Sequence, residues 1–99
     1  MKKISKKDLF TPGMKVTETK EMGGTMYGWR MIGGHMGARI IDTMLNKARA
    51  LGLECFLPPA YEGPVTYRSE DHSVVLTVRK HYARTASKNM FTAALWIRD

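Results

Sequence analysis

The chain has a single cysteine, Cys55, among 99 residues, so no internal disulfide framework can staple it. No apolar run approaches the roughly 18 residues that a membrane-spanning helix needs. The basic opening, Met1-Lys2-Lys3-Ile4-Ser5-Lys6-Lys7-Asp8, has no apolar stretch behind it and does not read as a secretory leader. These absences point to a reduced, cytoplasmic protein with no membrane partner. Histidine is scarce too: His35, His72 and His81 are dispersed and, with Cys55, show no metal-ligand spacing. His72 and His81 fall at opposite ends of one expected strand, roughly 30 Å apart, too far to cooperate directly. No Ser-His-Asp or Cys-His arrangement is legible. Gly33-Gly34-His35-Met36-Gly37 is neither a dinucleotide fingerprint nor a Walker A loop, having no Gly-Lys-Ser/Thr. The expectation is no cofactor, no metal and no catalytic residue. A small ribonuclease centred on His81 with Arg79, Tyr82 and Arg84 is the enzymatic alternative.

Acidic residues are missing from residues 72 to 98, which carry Arg79, Lys80, Arg84, Lys88 and Arg98. Residues 1 to 15 carry Lys2, Lys3, Lys6, Lys7 and Lys15 against Asp8 alone. The stretch between is near neutral, so the formal net charge of +7 is concentrated toward the two ends. Such a field attracts polyanions if those cations converge in space.

The 43% hydrophobic content suits one small core. Residues 1–13 read as a loosely held basic arm, closed by the turn signal Thr11-Pro12-Gly13, and residues 14–99 as a single domain. Met14 to Thr19 and Thr25 to Ile32 read as a hairpin around Met22-Gly23-Gly24, with Tyr27, Trp29 and Met31 on one face. Apolar residues at Met36, Ile40, Ile41, Met44, Leu45, Ala48 and Leu51 predict a helix over about 35–51, ended by Gly52. Leu53 to Leu57 reads as a short strand stopped by Pro58-Pro59, followed by a loop from Ala60 to Gly63. Cys55 is expected there as a buried small hydrophobe.

A three-strand meander completes the chain. A tight turn at Glu70-Asp71 would set Arg68 opposite Ser73 and Val65 opposite Leu76, placing Val65, Tyr67, Val74, Leu76, Val78 and Tyr82 on the core face. In the last strand, Met90 to Arg98, the better core set is Phe91, Ala93, Leu95 and Ile97. The predicted class is α+β: a mostly antiparallel sheet in the order β-β-α-β-β-β-β, with one amphipathic helix covering one face.

The uncovered face would display Arg68, Arg79, His81, Trp96 and Arg98, a set suited to nucleic acid because cations track phosphates while rings stack on bases. The basic loop that follows would add Lys80, Arg84 and Lys88 from a protruding hairpin tip. A weaker anion site is expected at the strand-to-helix turn, from Arg30, Gly33, Gly34, His35 and Arg39. The leading expectation is a non-enzymatic nucleic-acid-binding protein, with RNA favoured over duplex DNA because no second helix is present to read a groove. Three alternatives are an inhibitor or adaptor docking on an acidic protein surface, as small viral accessory proteins do, a binder of small anionic nucleotides, and the ribonuclease. The eight methionines suit an adaptable contact, including a homo-oligomer.

Overall fold

Helix α1 spans Met36–Ala50 and buries Ile41, Met44, Leu45 and Ala48, while Arg39, Asp42, Asn46 and Arg49 stay exposed. Its end follows from Gly52 at φ +89. The Leu53 N–H donates to Ala48 O and the Gly52 N–H to Arg49 O, both at 3.0 Å, the paired bonds of a Schellman stop. Met36, expected on the buried stripe, is 66% exposed. Gly37 takes that place, and a Cβ there would overlap the Phe91 ring. The first turn therefore meets the sheet through a bare backbone.

The computed structural model describes residues 3–57 and 63–99, Leu57 by its backbone alone. The expected stop at Pro58-Pro59 and most of the loop to Gly63 lie outside the described residues. Six strands form one antiparallel sheet: β1 Thr17–Glu21, β2 Gly24–Ile32, β3 Glu54–Leu57, β4 Val65–Arg68, β5 Val74–His81 and β6 Met90–Arg98. Their order across the sheet is β1-β2-β6-β5-β4-β3. Helix α1 packs on β5 and β6, and among the described residues no helix covers the opposite face. The α+β class and the element order are as predicted.

Period-2 alternation set the faces correctly on the central strands. Phe91, Ala93 and Leu95 on β6, Val74, Leu76 and Val78 on β5, Tyr67 on β4 and Trp29 on β2 are buried with the helix residues. The β4–β5 register differs from expectation by two residues: Arg68 pairs with Val75 and Val65 with Val78. The connection is wider than a tight turn. The Ser69 N–H donates to Val74 O, and His72 adopts a left-handed φ of +61. An even shift preserves every face, so the core set survived the wrong register.

Four further expectations are corrected. Strand β1 starts at Thr17, so Met14 and Val16 precede it as partly buried residues packed on the core. The first dozen residues are not loosely held throughout, because Leu9 and Phe10 are 1% and 5% exposed in the core. Tyr82 lies past the end of β5, where it is 47% exposed and meets Phe91 edge-on at 5.7 Å. Cys55 is exposed on edge strand β3.

Candidate nucleic-acid interface

Cross-strand pairing orders the uncovered face into rows. Gly28 on β2, Ala94 on β6, and Thr77 on β5 line up with Thr17 on β1 and Thr66 on β4. This central row is small and mostly polar, and Thr66 Oγ1 and Thr77 Oγ1 lie 3.2 Å apart in a hydrogen bond. Two residues along the strands toward one end, Arg30, Thr92 and Arg79 form a row in which the two arginines flank the threonine. Two residues toward the other end lie Met26, Trp96, Val75 and Arg68.

Trp96 is held in place. Its Nε1–H donates to Glu21 O at 2.9 Å, and a Cβ at position 24 would fall 2.7 Å from the indole Nε1 and Cε2. The ring therefore lies against the bare backbone of Gly24, partly buried on the open face. Arg68 stacks its guanidinium 3.5 Å from the centre of the Phe56 ring, and Phe56 is 54% exposed. Both are planar groups on the same flank, two strands apart at about 4.8 Å per strand. Phe56 was missed by sequence reading, since a bulge between Cys55 and Leu57 breaks the alternation that would have assigned its face.

The basic loop behaves differently from a protruding tip. It folds back onto the strand-to-helix turn, with a 3-10 turn at Ala86–Lys88. Asn89, 1% exposed, anchors it. Its side-chain oxygen accepts from Ala83 N–H at 2.8 Å, its Nδ2 donates to Gly34 O at 2.9 Å, and its carbonyl accepts from Gly33 N–H at 2.8 Å. The Gly34 N–H donates to Ala86 O at 2.9 Å. The weak anion site expected at Gly33, Gly34 and His35 thus loses two amides to the loop. Arg39 lies apart from it, beside Lys47 in a groove of about 210 Å³ between the helix and the segment carrying Leu9 and Met14.

The cations divide accordingly. Arg30, Arg79 and His81 are exposed on the open face, and Arg84 and Lys88 are exposed on the folded-back loop at the same end of the sheet. Arg79, His81, Met90 and Thr92 line a depression of about 320 Å³. Arg79 also takes part in interactions within the chain. Arg98 reaches the carbonyls of Asp71 and His72 at 3.4 Å, which ties it to the β4–β5 turn. Lys80 leaves the set: its ammonium pairs with helix residue Asp42 at 2.6 Å on the covered side. The signal was present, because Lys80 lies two residues beyond buried Val78 on the same strand and so shares its face. Lys6 and Lys20 are likewise paired, with Glu18 at 3.8 Å and Asp99 at 3.1 Å. Lys6 sits 5.5 Å from the Tyr27 ring centre on the helix side. Lys6 of the N-terminal segment is thus set apart from the open-face arginines.

The acidity of Asp71 is clearly displaced. Hydrogen bonds from the Ser73 hydroxyl, the Ser73 amide and the Ser69 hydroxyl, helped by Arg98, lower it from 3.8 to about 2. Its role is to brace the turn that Arg98 also grips.

No group of three or more metal-ligating side chains exists among the described residues, and no helix among them is long and apolar enough to cross a membrane. No protein-family model, curated protein or solved structure matches the chain.

Proposed function

We propose that this protein binds nucleic acid, RNA in preference to duplex DNA, through the uncovered sheet face and the folded-back basic loop, without catalysing a reaction. The observation that carries the reading is the pairing of the Arg30–Thr92–Arg79 row with the immobilised Trp96 on one helix-free face. Cations supply sequence-independent attraction to phosphates, and a fixed ring supplies a stacking surface that any base can use. Arg84 and Lys88 extend the positive field beyond the sheet end. A reduced, cytoplasmic setting accompanies this reading. The test is replacement of Arg79, Arg84 and Lys88 together by glutamate, with Lys80→Ala as control. The triple variant loses RNA binding with an unchanged circular dichroism spectrum, and the control binds as the parent does. Retained binding in the triple variant overturns the proposal.

A second reading is favoured by one observation. Ile32, Met36, Tyr82 and Met90 are 57%, 66%, 47% and 38% exposed, and all lie at the sheet end that carries the basic loop. Apolar groups rimmed by cations suit an acidic protein surface with an apolar centre. Capture of a protein partner that survives nuclease treatment, with no RNA retained, selects this reading.

A further inference from the structure

We propose that the open face takes a single strand of RNA lying across the β-strands, along the small-residue row, with phosphates toward Arg30 and Arg79 and bases toward Trp96 and the Arg68–Phe56 stack. This rests on the RNA-binding reading and adds to it strandedness, path and the edge that faces each flank. The geometry comes from the pairing register. The flanking rows stand two residues to either side of Gly28, Ala94 and Thr77, so their backbones are about 13 Å apart at about 3.3 Å per residue. The row crosses five strands, from Thr17 to Thr66, a length of about 19 Å. Larger side chains on both flanks and small ones between them make a shallow trough open to solvent.

The two flanks differ in chemistry. One carries guanidinium groups around a threonine. The other carries planar faces: the indole pinned to Glu21 O and the guanidinium stacked on Phe56. A duplex hides its base faces in its own stack and shows phosphates on both edges, so one aromatic flank is of no use to it. An unpaired strand has a phosphate edge and a base edge, which match the two flanks. The central row has to stay small, because any bulk there lifts the strand from both flanks at once.

The probe is a short fluorescently labelled oligouridylate, titrated against the parent and against Ala94→Leu, which fills the trough without altering charge. The expected result is about a tenfold or greater loss of affinity in Ala94→Leu, equivalent to losing at least one stacked base, with the thermal midpoint unchanged. Arg30→Ala weakens binding as well. A second measurement needs no substitution in the floor: saturating oligouridylate quenches tryptophan emission in the parent but not in Trp96→Phe, because Trp29 is 6% exposed. Full binding by Ala94→Leu, unquenched Trp96 emission, or equal affinity for a duplex of the same length overturns the trough. If the glutamate triple variant still abolishes binding in those cases, RNA binding itself stands. If the parent binds no oligonucleotide at all, both proposals fall.

Discussion

The buried carboxamide of Asn89 donates to the carbonyl of Gly34 at 2.9 Å, across 55 residues of chain. It joins two segments that look unrelated in sequence, the glycine turn before α1 and the basic loop before β6. Asn89→Ala strands Gly34 O and Ala83 N–H without partners in a part-buried site. At about 1–3 kcal/mol for a buried polar group left unsatisfied, the variant is expected to lose about 2–4 kcal/mol in urea unfolding. Its loop amides, Ala83 to Lys88, should exchange hydrogen faster than those of the strands.

Gly37 is expected to resist replacement despite lying in a helix. Alanine there would gain about 1 kcal/mol of helix propensity, but its methyl would overlap Phe91, which is 0% exposed. Overpacking costs about 1–3 kcal/mol, so Gly37→Ala is predicted to be net destabilising in chemical denaturation. A stabilised variant would show that the helix can lift from β6 at little cost.

Met22 offers the opposite case. Met22 and Gly23 connect β1 to β2 with φ of +50 and +77, the conformation of a type I′ hairpin turn, in which Asn-Gly is preferred. Met22 is 87% exposed, so its side chain contributes little packing. Met22→Asn is expected to raise stability by about 0.5–1 kcal/mol, read as a higher thermal midpoint.

The Asp71 brace predicts a pH response. Its acidity is depressed on folding, so its contribution is fully present above the ordinary carboxylate value of 3.8 and is lost as pH falls toward about 2. The Ser73 amide resonance should follow this titration by NMR between pH 4 and 2. Asp71→Asn should remove it while leaving the central strands unchanged.

Much of the fold was legible because the central strands alternate cleanly. Tyr27, Trp29 and Met31 on β2, Val74, Leu76 and Val78 on β5, and Phe91, Ala93, Leu95 and Ile97 on β6 recur at every second position on the core face, and that pattern survives a register error of two. The site was harder to read. Lys80 looked like part of a cationic run until Asp42, 38 residues earlier, came over it from the helix. The exposure of Cys55 and the stacking of Phe56 depend on a bulged edge strand that no local pattern announces. Leu9 and Phe10 were hidden by the lysines around them, since charge density masks a short apolar pair. Gly28 and Ala94 drew no attention because their contribution is the absence of bulk.

The central claim is that exposed cations at one sheet end meet phosphates while the opposite flank meets bases. Its most direct test is the salt dependence of oligouridylate binding. With Arg30, Arg79, Arg84 and Lys88 each meeting one phosphate, log affinity should fall against log salt with a slope of about −3, at about −0.7 per contact on a single strand. Removing one of these charges should reduce the slope by about 0.7, whereas Lys80→Ala should leave it unchanged. A slope near zero, or the same slope after loss of Arg30 and Arg84 together, would contradict the account.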